Sequence, residues 1–117
     1  MATIRDLVAA IRKRDGVDAV IVLGRDGLVI DSQAGGSLTS DDVAAHVPSV
    51  LAAADELGGT AALGTLTTAV LEYPRGLAIV SVLSPDALLL VLAQPNPNLG
   101  QLLFELRRNR EHIAALV

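Results

Sequence analysis

Cysteine is absent from the 117 residues. Its absence excludes disulfides, a thiolate nucleophile and any Cys-ligated metal. Aromatic residues are nearly as scarce, Tyr73 and Phe104 being the only two. Proteins that hold single-stranded nucleic acid stack bases on aromatic rings beside a basic stripe. This chain carries a net charge of −4, and its basic residues are all Arg except Lys13, so no nucleic-acid partner is expected. Histidine is limited to His46 and His112. Neither has a second histidine one helical turn away or a Glu-x-x-His companion, so no metal is expected. No apolar run approaches the roughly 20 residues that span a bilayer; the longest, Ala87 to Ala93, suits a buried strand. Arg5 and Asp6 interrupt the N-terminus before an export signal could form, and the expected location is cytoplasmic, with no membrane insertion.

The signatures of catalysis are missing too. Gly59 and Gly64 have the two-glycine spacing of a phosphate-binding loop, but Thr65 follows where that loop needs Lys to reach the β and γ phosphates. No Gly-x-Ser-x-Gly elbow occurs. Asp41 and Asp42 are adjacent carboxylates, yet a helix N-terminus accounts for them through the helix dipole. No catalytic residue, no cofactor and no enzyme activity are expected.

What the chain does have is apolar content: 51% of its residues are hydrophobic, and its mean hydropathy is +0.51. For one small domain, residues 1–117, that is at the high edge, so either the fold covers its apolar residues unusually well or some apolar surface is buried against a partner. Thr3 and Asp6 form a capping-box pattern, and Ile4, Leu7, Val8 and Ile11 recur at helical spacing, predicting a first helix over 3–14 that stops at Gly16. Strands are predicted over 17–23 and 28–32, joined through Gly24-Arg25-Asp26-Gly27 by an Asp-Gly hairpin with both central residues at positive φ. After a Gly35-Gly36-Ser37 loop, Thr39 or Ser40 caps a second helix that Gly58-Gly59 ends. Its apolar face is Val43, Val47, Val50, Leu51, Ala54 and Leu57, while Ala44, Ala45, Ala52 and Ala53 leave the other sides small and apolar as well. A helix apolar on most sides is usually buried on more than one side, and Pro48 within it should kink it or weaken one turn. Further strands are predicted over 63–73, 77–83 and 87–93. The last is apolar throughout, hence central and covered on both faces. Asn96-Pro97-Asn98 breaks the chain, and Asn98 caps a last helix striped by Leu99, Leu103, Leu106, Ile113 and Val117, with Arg110 inside the stripe and Phe104 off it.

The order α-β-β-α-β-β-β-α, the hairpin segments Gly16-Val17-Asp18-Ala19-Val20-Ile21-Val22-Leu23 and Arg25-Asp26-Gly27-Leu28-Val29-Ile30-Asp31-Ser32, and Asn96-Pro97-Asn98-Leu99-Gly100 before the last helix together resemble the roadblock/LC7 family over the whole chain. Pro97 stands where Ala is common in that family. The resemblance, to standalone prokaryotic members of the MglB type, implies an α+β profilin-like sandwich: a five-stranded antiparallel sheet with helices on both faces. It implies a homodimer that lays the second helix beside its twin and joins the third strands into one sheet. It also implies a cytoplasmic regulator or scaffold of a small Ras-like GTPase, with GTPase activation among its modes. Two other readings stand beside this one. The chain could serve as a nucleotide-independent structural adaptor or light-chain-like subunit, or as a small-ligand-binding domain or enzyme on a profilin-like sheet.

The small residues of the second helix place a dimer seam at Ala44, Ala45, Pro48 and Ala52, to which the implied strand pairing adds Thr67 and Ala69. Phe104 and Arg110, with Arg25 at the hairpin tip, are the candidate partner surface, because Arg and aromatics are enriched at interfaces. The simpler readings are an Arg110 that snorkels or pairs with an acid such as Asp6, and an Arg25 that is a solvated turn residue rather than an arginine finger.

Overall fold

The computed structural model describes residues 3–95 and 98–117. Thr3 accepts the Asp6 amide on its hydroxyl while the Asp6 carboxylate accepts the Thr3 amide. This closed capping box starts helix α1, Ile4–Arg12. The helix stops short of residue 14, and Gly16 turns the chain at φ 83°, a conformation that suits glycine. Strands β1, Val17–Gly24, and β2, Val29–Ala34, form the first hairpin. Its turn differs from the expected one. Gly27 alone is left-handed, at φ 89°; the Gly27 amide donates to Gly24 O at 3.0 Å and the Gly24 amide to Leu28 O at 2.8 Å. This is a three-residue loop closed by a left-handed glycine, and Asp26 works instead by accepting the Leu28 amide on Oδ1.

The second helix is broken in two: α2, Ser40–Ala44, and α3, Val47–Thr60. Thr39 holds the cap position of α2 without a side-chain cap bond. Pro48 decides the break, because its ring lacks an N–H and would clash with the carbonyl of Ala44, whereas the first turn of a new helix tolerates it. At the other end, Gly58 and Gly59 do not stop α3. The stop comes at Ala62, left-handed at φ 58°, where Leu63 N donates to Gly58 O and Ala62 N to Gly59 O, a Schellman closure. Gly58 instead permits a close approach of the chain to itself. A Cβ there would lie 2.7 Å from the Gly64 carbonyl oxygen, while one on Gly59 would meet nothing within 4 Å. Gly58→Ala should therefore lower the unfolding free energy by about 1–2 kcal/mol. Gly59→Ala should raise it by roughly 0.5–1 kcal/mol through helix propensity. Urea denaturation of the two variants should move the midpoint in opposite directions.

Strand β3 spans Thr68–Tyr73, starting later than the predicted residue 63. Residues 63–66 turn back on α3 instead: the Leu63 amide donates to Gly58 O, Gly64 turns the chain at φ 90°, and the Leu66 amide donates to the Asp55 carboxylate at 3.3 Å. Strands β4, Gly76–Val82, and β5, Ala87–Ala93, follow their predicted spans closely. Helix α4 is Leu99–Ala114, with Asn98 at its cap position; Asn96 and Pro97 lie outside the described residues. Its buried residues are Leu102, Leu106 and Ile113; Leu106 and Ile113 belong to the predicted stripe, whereas Leu99 and Leu103 only flank the core and Val117 is exposed.

The sheet order is β2-β1-β5-β4-β3, antiparallel throughout. Central β5 is covered on both faces as expected, because side chains alternate along a strand. Leu89 and Val91 join Val20, Val22 and Ile79 under α1 and α4. Leu88 and Leu90 join Ile21, Leu23 and Val80 under α2 and α3.

Candidate interaction surfaces

Helix α3 covers its sheet face only in part. Of its 14 residues, only Val47 and Leu51 are buried. The flank carrying Val50, Ala53 and Leu57 remains open, with Leu57 67% exposed. Beside that flank runs an apolar groove: Val43, His46 and Val50 form one wall, and Leu71, Tyr73 and Leu92 of the sheet form the other. Tyr73 is 57% exposed, so one of the two aromatic side chains of the chain stands at this rim.

Both edge strands of the sheet carry unpaired backbone groups, but they differ. The Gly35 amide donates to Asp18 O, so by antiparallel alternation Asp31 and Gln33 face β1 while Ser32 faces outward. The outward Ser32 amide is already taken by Asp31 Oδ1 at 2.9 Å, and β2 is irregular between the partners of Val22 and Leu23. Such features blunt an edge against pairing. On the far edge, the Val82 amide donates to Thr67 O at 2.9 Å, so Thr67, Ala69 and Leu71 face β4 while Thr68, Val70 and Glu72 present their backbone outward. Register is regular along the whole of β3. The open edge of the sheet is therefore β3, and it adjoins the uncovered flank of α3.

The residues singled out from sequence fall in several places. Ala44 is fully buried among the α2/α3-side core residues, so it is packing within the chain and not surface. Ala45 is exposed at the helix break, and Ala52 and Thr67 are exposed. Pro48 is half-buried close to Gly27, and Ala69 is half-buried above the core on the α3 face. Pro48 and Ala52 thus lie on the hairpin side of α3, opposite the Val50–Leu57 flank. By periodicity Val50 and Leu57 belong with the core residues of this helix, and the structure leaves them outside it. The signal for their exposure is the helix's apolar character on every side, which cannot say which side the chain's own sheet will take.

Arg25 is not a solvated turn residue. Its Nη1 donates to Asp55 Oδ2 at 3.2 Å, and its amide donates to Asp86 O at 3.0 Å. Asp55 also accepts the Leu66 amide, so one carboxylate ties the hairpin tip, α3 and the loop after it. Arg25 Nε is buried with no acceptor among the described residues. Arg110 does not reach Asp6, whose carboxylate serves the capping box, and among the described residues it makes no ion pair. The turn after α1 is tied to α4 instead, through Arg14 and Glu105. The fold brings Arg25 and Arg110 to one open groove of about 620 Å³, shared with Thr65, Thr67, Ser84 and Glu111. Phe104 stands apart from it, 62% exposed on α4.

Among the described residues no three His, Asp or Glu side chains gather as a metal would require, and no helix there is long and apolar enough to cross a membrane.

The Roadblock/LC7 domain family model matches residues 3–93. An uncharacterized protein of Methanocaldococcus jannaschii is 31% identical over 106 residues, covering 91% of this chain and 92% of the relative. Among solved structures, the Roadblock/LC7 domain from Streptomyces avermitilis has a TM-score of 0.84 at 20% identity, covering 96% of this chain and 95% of its own. Myxococcus xanthus MglB has a TM-score of 0.87 at 13% identity, covering 97% and 93%.

Proposed function

Because this chain belongs to the Roadblock/LC7 domain family, we propose that it works as a homodimeric regulator or scaffold of a small Ras-like GTPase, with no catalytic centre of its own. The observation that carries the dimer is the pairing of an open, regular β3 edge with the uncovered Val50–Leu57 flank of α3. Two copies related by a two-fold axis would join their β3 strands antiparallel and cover each other's flank, since such an interface is self-complementary. Burying Leu57, Val50 and Tyr73 would remove the exposed apolar area that the composition leaves over. Support for the GTPase partner comes from the family, whose likeness implies regulators and adaptors of these switches.

Regulation in this setting is differential affinity. A dimer that binds one nucleotide state better shifts the switch segments toward it, and equal affinity shifts nothing. Any accelerated hydrolysis would use groups of the GTPase. The test is calorimetric titration of the purified chain against a panel of small Ras-like GTPases loaded with GDP or with a non-hydrolysable GTP analogue. At least one GTPase is expected to bind with about a tenfold difference in Kd between the two states, or about 1.4 kcal/mol. Equal affinities would assign the chain to the adaptor reading, and absence of binding across the panel would remove the GTPase role.

A further inference from the structure

The groove that joins Arg25 and Arg110 lies at the far end of α4, which begins beyond residue 93 where the family match stops, and only Thr67, at the head of the β3 edge, is shared with the expected dimer seam. Its charges are unevenly settled. Arg25 is compensated by Asp55. Arg110 is half-buried and makes no ion pair among the described residues, although Glu111 lies at the same rim. A partly desolvated guanidinium is best satisfied by a carboxylate, which it can grip with two parallel N–H donors. Exposed Thr65 and Thr67 line the same groove, and Leu66, Val82, Leu83 and Pro85 make much of the rest of its lining apolar.

We propose that this groove docks a segment of another protein presenting an Asp or Glu carboxylate flanked by apolar side chains. Arg110 binds the carboxylate, Thr65 and Thr67 add hydroxyl donors, and the flanking side chains lie on Leu66 and Pro85. The charge count favours a carboxylate over a phosphate. One uncompensated arginine neutralises a single negative charge, whereas a phosphate dianion would stay half-neutralised and be repelled by Glu111 about twice as strongly as a carboxylate. The open shape favours an extended segment over a small acid, because a small acid would leave most of the apolar lining wet.

The experiment is a titration of the ¹⁵N-labelled full chain, with no GTPase present, using the capped pentapeptide Leu-Ala-Glu-Leu-Ala and its Gln counterpart. The Glu peptide is expected to shift the amides of Thr65, Thr67 and Ser84 saturably, and the Gln peptide to bind about fivefold more weakly, as for one charge-assisted contact. Arg110→Gln should weaken the Glu peptide by a similar factor. Glu111→Gln should tighten it, a change of opposite sign that mere damage to the fold would not produce. Equal binding of the two peptides, shifts elsewhere in the chain, no shifts at millimolar peptide, or saturable shifts of the same amides by inorganic phosphate alone would each overturn the assignment. Because no GTPase takes part, none of these outcomes depends on the fate of the regulatory proposal.

Discussion

Val70→Pro is expected to convert the protein from a dimer to a folded monomer. The amide of Val70 faces away from β4, so a proline ring there removes no hydrogen bond within the chain. It does remove the donor at the middle of the open edge, where a neighbouring strand would pair. Edge strands tolerate proline for the first reason and resist association because of the second. With one or two inter-strand bonds lost and the ring obstructing approach, the dimer should weaken about 100-fold, or about 2.7 kcal/mol. Light scattering at micromolar concentration should read twice the chain mass for the parent and one chain mass for the variant, with circular dichroism unchanged. Ser32→Pro is the control. It places the same ring on the outward amide of β2, which Asp31 already occupies, and should leave the dimer intact. A parent chain that is monomeric, or a Ser32→Pro variant that dissociates as readily as Val70→Pro, would dismiss β3 as the seam.

The second large effect is on folding. Leu89→Ala is expected to cost about 2–5 kcal/mol, the range for truncating a fully buried leucine whose surroundings cannot collapse into the space. Leu89 is 1% exposed in central β5, within the cluster that joins α1 and α4 to the sheet. Domains of this kind have about 5–15 kcal/mol of stability, so the loss is a large fraction of the whole. Urea denaturation, carried out on the Val70→Pro monomer to keep association out of the measurement, should show the midpoint fall without a change in slope. Leu57→Ala on the same background removes the same atoms from an exposed site and should change stability by less than about 0.5 kcal/mol. The contrast separates leucines that hold one chain together from those left for a second.

The two sides of α3 show why part of the site was hidden in the sequence. Val47 and Leu51 face the sheet, and Val50 and Leu57 do not, yet all four fit one apolar helix. A helical stripe identifies an element, but the choice of which side meets the sheet belongs to packing. That choice here is constrained on the hairpin side by Pro48 near Gly27 and by the Arg25–Asp55 pair. Ala44 shows the same limit: as a small residue on an apolar helix it suits a helix-to-helix seam, but the turn of α2 places it inside the core.

Features that depend on neighbours in the chain were legible from the residues alone. The Thr3–Asp6 box, the glycine that closes the first hairpin, the proline that interrupts the second helix and the span of β5 all rest on local backbone geometry, which acts over a few residues. The order of elements and the both-sides-covered β5 followed from them. Tertiary structure alone decided which strand edge stays open and which flank of α3 lies bare. It also decided that Arg25 and Arg110, far apart along the chain, share one groove. These depend on how strands pair and how layers stack, and hydrophobic burial, which drives that stacking, is non-directional and leaves little trace in the spacing of any single segment.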